Sequence, residues 1–170
     1  MKLQMNNYGL HTIRFIVLLL LQVLILNNML FMDFLKPFMY PLFVILLPLN
    51  INKIQALFLA FAMGLSVDFF ENTGGVHAAA CLVIAYIRPL VLRFSFGINY
   101  DYQTLKFYNE GFKQRFNYLA IMVFSHHLVM FALEAFSFKH ILYILKSTLF
   151  SGIFSLFLML LFIQLIRKKK

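Results

Sequence analysis

The stretch GLSVDFFENTGGVHAAACLVIAYIRP, from Gly64 to Pro89, places acids, a Gly-Gly pair and an arginine next to a proline within a largely apolar chain. The residues at 72–75, Asn-Thr-Gly-Gly, are typical of a helix stop followed by a tight turn. We expect Gly74, Gly75 or both to adopt a positive φ there. The stretch therefore predicts one helix that ends near Asp68, a tight corner, and a second helix that runs back.

The composition indicates that these helices lie in a membrane. Hydrophobic residues make up 62% of the 170 residues and charged residues 12%, with 22 phenylalanines and no tryptophan. Soluble domains are not composed this way, and soluble helices need polar faces that long stretches here lack. The sequence predicts an all-α polytopic membrane protein, folded as one compact helical bundle over residues 1–170.

Six apolar stretches are candidate membrane spans. A span takes about 20 helical residues, or as few as about 17. Residues 37–52 are slightly short, and Val76–Ile87 reaches span length only through Arg88 and Pro89, which requires Arg88 to snorkel and Pro89 to kink the helix. The predicted spans are residues 13–32, 37–52, 54–70, 76–96, 116–136 and 141–166.

The basic residues favour six spans over five. Each span reverses the side of every later loop, and lysine and arginine concentrate on the cytoplasmic side. Six spans place nearly all basic loop and tail residues in the cytoplasm, whereas five would leave the 88–115 cluster or the terminal Arg-Lys-Lys-Lys partly outside. We therefore predict that both termini are cytoplasmic. The cytoplasmic loop 97–115 has the composition of a short interfacial helix or loop.

Other protein classes fit the sequence less well. The first apolar run is longer than a signal-peptide core and no small-x-small cleavage site follows it, so we interpret it as a retained anchor. The net charge of +9 lies mostly beside the membrane, where anionic lipid accounts for it, and no nucleic-acid partner is expected. Cys81 is the single cysteine and is expected to be inert packing.

Two acids and the histidines are the candidates for chemistry. Asp68 and Glu71 would share a helix face, as a general acid–base pair does, but the turn that follows places them at the outer boundary within reach of water. Capping or hydrogen bonding of the loop is the favoured role, with proton chemistry as the alternative.

The histidine pattern does not predict a metal site. His126 and His127 are adjacent, so they point about 100° apart on a helix, and one of them is expected to face a helix interface or an internal polar cavity. His77 and Cys81 are four apart but lack a third ligand. No phosphate loop, G-x-S-x-G or H-E-x-x-H is present. The sequence predicts no enzyme activity, metal or cofactor.

Three stretches resemble the MreD family, the rod shape-determining integral membrane proteins of bacteria: FIVLLLLQVLILNN (Phe15–Asn28), YPLFVILLPLN (Tyr40–Asn50) and AFAMGLSVDFFENTGGVHAAACLVIAYIRP (Ala60–Pro89). In the third, the family has a small-residue helix ending in Gly-Leu-x-x-Asp, a glycine-containing turn, a histidine or small residue opening the next helix, and an arginine near its end. The matching positions are Gly64, Asp68, Gly75, His77 and Arg88. Beyond residue 95 the resemblance is one of hydropathy and length.

The resemblance implies a non-enzymatic scaffold in the bacterial inner membrane. Such a protein would bind the single-span protein MreC and, indirectly, connect the MreB filament with RodA and a class B penicillin-binding protein in wall synthesis. The family also resembles the substrate-binding subunits of energy-coupling-factor vitamin transporters. That similarity supplies the alternative, a solute pocket lined by Asp68, Glu71, Asn72 and His77, although one loop provides all of these groups. An intramembrane hydrolase is a third reading, but paired in-membrane acids or a Ser/His couple are lacking.

Small residues after the turn predict close helix packing. Ala78, Ala79, Ala80 and Ala85 would let neighbouring helices approach closely, either within the bundle or with a partner helix. The candidate structural or interaction residues are Gly64, Asp68, Asn72, Gly74, Gly75, His77, Ala79, Arg88 and Pro89.

Overall fold

The computed structural model describes residues 2–29, 36–49, 51–97, 110–136 and 138–166, and this part of the chain is helical without a strand. The helices in chain order are α1 (Lys2–Leu20), α2 (Pro41–Ile45), α3 (Lys53–Glu71), α4 (Val76–Phe96), α5 (Phe112–Ala135) and α6 (Ile141–Ile166). A π-helical turn (Leu21–Ile25) and a 3-10 turn (Leu26–Asn28) extend α1, and a second 3-10 turn (Phe138–His140) precedes α6.

Five helices in the described ranges are long and apolar enough to cross a membrane. They are Gly9–Asn28, Lys53–Glu71, Val76–Phe96, Phe112–Ala135 and Ile141–Leu165. The chain is thus an all-helical, multi-pass membrane protein, as the composition predicts. The six-span count stays a prediction. Helix α5 includes residues 112–115, which the sequence assigned to the loop, and residues 98–109 of that loop lie outside the described part.

The described residues of the predicted span 37–52, which are 37–49, 51 and 52, contain the five-residue helix α2 and no longer helix. Pro41 opens α2, where its missing N–H costs nothing, and Pro48 follows soon after the helix ends at Ile45. Residues 36–39 before α2 belong to no helix. We call residues 36–49 the buried segment, because every side chain from Pro37 to Leu47 is buried.

Hydrogen bonds give the direction of the buried segment. Gln22, in the π-helical turn that extends α1, bonds to the segment near its start, and Arg14 of α1 bonds to it near its end, so the segment runs antiparallel to α1. It also bonds first to His77 and later to Arg88, and therefore runs parallel to α4. These two α4 residues are separated by about 16 Å of helix. The chain thus passes back through the bundle between α1 and α3.

The long helices pack around the buried segment. Helix α3 packs against α4, α4 against α5 and α5 against α6, while α1 contacts α2 and α3. We call the end of the bundle that holds residues 72–75 the corner end, and the end where α1, α3 and α5 begin the terminal end. The helix faces that point away from the segment carry exposed phenylalanine, leucine and isoleucine, including Phe58 and Leu149. This is the surface that a lipid-embedded bundle requires.

Candidate functional site: the corner and the buried polar network

The corner joins α3 to α4 through residues 72–75. Asn72 ends α3 in the left-handed conformation, with φ 55°, and its N–H donates to the carbonyl of Asp68. Gly74 and Gly75 follow with φ values of 65° and 101°. The predicted helix stop and positive φ are confirmed, and both glycines adopt it.

Asp68 caps α4 from the preceding helix. Its Oδ1 accepts the backbone N–H of His77 at 3.0 Å, its Oδ2 accepts the N–H of Ala78 at 2.8 Å, and the Thr73 hydroxyl donates to Oδ1 at 2.5 Å. Gly75, at the N-cap position, has no side chain that could do this. A carboxylate at a helix N-terminus also interacts favourably with the helix dipole. The favoured capping role is confirmed, whereas the expected access of water to Asp68 is wrong, because the residue is only 4% exposed.

The backbones of α3 and α4 come into direct contact close to the corner. A Cβ built on Gly64 would lie 2.5 Å from Cα of Ala78 and 2.5 Å from the carbonyl oxygen of His77. Only glycine allows this approach, so Ala78 is the alanine that meets α3. Ala79, the candidate chosen from the sequence, is half-buried.

Arg88 holds the far end of the buried segment. Its guanidinium donates to the carbonyl oxygens of Leu47 and Pro48, the latter at 3.3 Å, and its Nε donates to the Tyr118 hydroxyl at 3.1 Å. Tyr118 in turn donates to the carbonyl of Ile45 at 3.0 Å. The expectation that Arg88 snorkels is wrong: the residue is buried, because the non-helical backbone after α2 has carbonyls, at Leu47 and Pro48, that need donors. Helix α4 continues past Pro89 to Phe96.

Side chains from the π-helical turn after α1 and from α6 bind the near end of the segment. The amide of Gln22 donates to the Pro37 carbonyl at 3.2 Å and accepts the Met39 N–H at 2.7 Å. The Ser155 hydroxyl accepts the N–H of Phe38 at 2.8 Å. Non-helical backbone inside a membrane is tolerated only where such partners exist. Sequence reasoning missed Gln22, although a glutamine inside a long apolar run was an available signal.

The Tyr40 hydroxyl lies between two histidines inside the bundle, in the half nearer the corner end. Its hydroxyl oxygen lies 2.6 Å from Nδ1 of His77 and 2.8 Å from Nε2 of His126. Nε2 of His77 lies 3.5 Å from Oε2 of Glu71. Tyr40 and both histidines are buried. The sequence did not predict this grouping, because its members come from four separate elements.

His127 faces the interior as well. Its Nδ1 lies 2.8 Å from the Val123 carbonyl oxygen and its Nε2 lies 3.1 Å from the Ser155 hydroxyl. The ring of Phe38 packs against both His77 and His127, at centroid distances of 5.8 and 5.5 Å. The expectation that one of the adjacent histidines faces inward is met by both.

Some buried polar atoms have no hydrogen-bond partner within the described part of the chain. They include Nδ1 of His126, Oε1 of Glu71 and the hydroxyls of Ser147, Thr148 and Ser151 on α6. Among the described residues, no three His, Cys, Asp or Glu side chains are grouped to hold a metal ion. Cys81 is buried and unpaired.

Comparison with known proteins gives no further assignment, since no protein-family model, curated protein or solved structure matches this chain. The function is therefore inferred from the site geometry together with the sequence resemblance.

Proposed function

We propose that this chain is a non-enzymatic membrane scaffold of the MreD type, which acts in the inner membrane of a bacterial rod complex. It binds an MreC-like single-span protein and, through it, supports the MreB filament, RodA and a class B penicillin-binding protein in lateral peptidoglycan synthesis. One observation carries the proposal: the interior of the bundle is filled by its own chain, because residues 37–47 are all buried.

The polar side chains of the interior serve this internal packing. Arg88 and Gln22 bond to the backbone of the buried segment, and Asp68 bonds to the backbone of α4. A solute site needs a concave cavity with a few free, convergent polar groups. Here the rings of Phe38 and Tyr40 lie against the histidines that would line such a cavity. This arrangement supports a packed scaffold.

The outer face of α4 offers a surface for a partner helix. The backbone contact with α3 uses Gly64 and Ala78, so Ala79 is left half-exposed beside it. Val83, one turn further along α4, is exposed. Small side chains let helices approach closely in a bilayer, where association depends on packing. We therefore assign the MreC-like partner to the face around Ala79.

The alternative is the substrate-binding subunit of a small-solute, vitamin-type transporter. The observation that favours it is the set of three buried hydroxyls on α6, from Ser147, Thr148 and Ser151, which have no partner in the described ranges. Buried polar groups usually have partners, so these hydroxyls are the groups that a bound solute would engage.

Co-purification from native membranes in mild detergent, with mass spectrometry of the bound proteins, separates the two functions. The scaffold predicts a single-span partner, and the transporter predicts ATPase subunits. Ala79→Phe tests the surface, with Leu149→Phe on the lipid-exposed face of α6 as the matched control. We expect the partner to be lost from Ala79→Phe and retained by Leu149→Phe. Recovery of ATPases in place of a single-span protein would contradict the scaffold proposal.

A further inference from the structure

We propose that α3 and α4 bind an anionic phospholipid at the terminal end of the bundle, with the lipid phosphate between Lys53 and Arg93. The inference concerns the outer surface and is independent of the scaffold function. It begins with Lys53, the first residue of α3, whose ammonium nitrogen lies 4.2 Å from the centroid of the Tyr86 ring on α4. Because both side chains are exposed and the span of α3 starts at Lys53, this contact places a positive charge at the membrane boundary.

Arg93 supplies a second cation on the same face of α4. Tyr86 and Arg93 are seven residues apart, which is nearly two full turns and a rise of about 10.5 Å. Both side chains are exposed. Long side chains of a helix lean toward its N-terminus, so the guanidinium of Arg93 leans back toward Tyr86 and the Lys53 ammonium. The two cations therefore border one surface.

Neither cation is neutralised within the described part of the chain. The salt bridge found there joins Glu71 to His77 at the corner end. The π face of the Tyr86 ring attracts the Lys53 ammonium without providing an acceptor oxygen, so the ammonium N–H groups stay available as donors. Two cations on one surface fit an anion with several acceptor oxygens, and a phosphate group is such an anion.

The described acids do not balance the charge of this surface. Asp68 and Glu71 lie at the corner, and Glu134 lies in the last turn of α5, at the same end of the bundle. Glu110, just before α5, makes no ion pair with either cation. The surface between α3 and α4 at the terminal end is therefore positively charged.

Apolar side chains surround the two cations, which favours a lipid over a water-soluble anion. Ile54 of α3 and Leu90 and Phe94 of α4 are all exposed, and Phe58, one turn after Ile54, is exposed deeper in the span. A phospholipid places its phosphate at the boundary and its acyl chains beside such residues. Anionic headgroups are attracted to lysine and arginine near the bilayer surface, and tyrosine is enriched at the same depth. The surface thus matches both parts of the lipid.

The test titrates the full-length protein in non-ionic detergent with lipid and counts bound lipids by native mass spectrometry. Phosphatidylglycerol is compared with phosphatidylcholine of the same acyl chains, because their headgroups differ in net charge. We expect one phosphatidylglycerol to bind about 25-fold more tightly than phosphatidylcholine, about fivefold from each of the two cations. Lys53→Gln and Arg93→Gln should each lower the affinity for phosphatidylglycerol about fivefold.

Lys113→Gln is the matched control. It removes the same charge from an exposed lysine near the start of α5, at the same end of the bundle, and should leave the affinity unchanged. The proposal is overturned if the two lipids bind equally, or if Lys113→Gln weakens binding as much as Lys53→Gln, since the attraction would then be unspecific. Displacement of the lipid by an equal concentration of inorganic phosphate would show that the surface takes a free anion instead. The comparison of the two lipids needs no variant, so it decides the question even if a variant does not fold.

Discussion

Gly64→Ala is expected to destabilise the bundle through a single added methyl group. The new Cβ would lie 2.5 Å from two backbone atoms of α4, at Ala78 and His77, about 1 Å closer than ordinary van der Waals contact. Backbone atoms of a helix cannot rotate away as a side chain can, so α3 and α4 must separate. Overpacking of this kind costs about 1–3 kcal/mol. At about 2–4 °C for each kcal/mol in a chain of this size, the apparent Tm should fall by several degrees.

The single cysteine supplies the assay. Cys81 is fully buried in α4, so a thiol-reactive fluorophore reaches it only when the helix opens, and its labelling during heating reports unfolding. Gly9→Ala is the matched control, because its Cβ would meet nothing within 4 Å. Alanine is a better helix former than glycine by about 1 kcal/mol, so the control should be neutral or slightly stabilising.

A third variant tests whether the loss of stability depends on the atoms that the added methyl group meets. Gly152→Ala brings Cβ to 2.8 Å from the ring of Phe124, a side chain that can move, and should cost less than Gly64→Ala. If Gly64→Ala melts at the same temperature as Gly9→Ala, the backbone contact between α3 and α4 is wrong.

Three further predictions concern the corner and the buried segment. Replacing both Gly74 and Gly75 with valine forces β-branched residues to positive φ, at about 1–3 kcal/mol each, and should lower the folded yield measured by fluorescence-detected size exclusion. A folded yield equal to that of the parent protein would show that the turn does not impose this strain. Asp68→Asn removes one of two acceptors for α4 and should cost about 1–2 kcal/mol in the thiol assay, yet preserve pull-down of the partner; loss of the partner without loss of folding would favour chemistry at Asp68. Arg88→Met leaves two backbone carbonyls without their donor, at about 1–3 kcal/mol each, and should lower the apparent Tm more than Arg93→Met, at an exposed arginine of the same helix. Equal Tm values for the two methionine variants would show that Arg88 does not hold the segment.

The corner could be predicted because its signals are local. Glycines at 74 and 75 require no knowledge of distant contacts, and an acid just before the turn is within reach of the next helix. The same holds for the apolar runs of α3, α4 and α6. Local chemistry therefore predicted the turn, the positive φ and the capping role of Asp68.

The interior could not be predicted, because its contacts join distant parts of the chain. Residues 37–52 carry no charge and are mostly apolar, and hydropathy does not distinguish a spanning helix from a short helix buried on all sides. Pro37, Pro41 and Pro48 were the available signal for a break. Arg88 was expected at the surface because its partners, carbonyls about 40 residues away, exist only once the segment lies beside α4. Tyr40, His77 and His126 meet for the same reason.

The central claim is that the buried segment carries the chain back through the bundle between α1 and α3. Single cysteines at Gly9, Gln55 and Gln114, each exposed at the terminal end, and at Asn72 in the corner, in a Cys81→Ser background, test it with an impermeant thiol reagent on intact cells. We expect Asn72 to be labelled from outside, and the other three only after the cells are opened. Labelling of Gly9 and Gln55 from opposite sides of the membrane would contradict the passage of the segment.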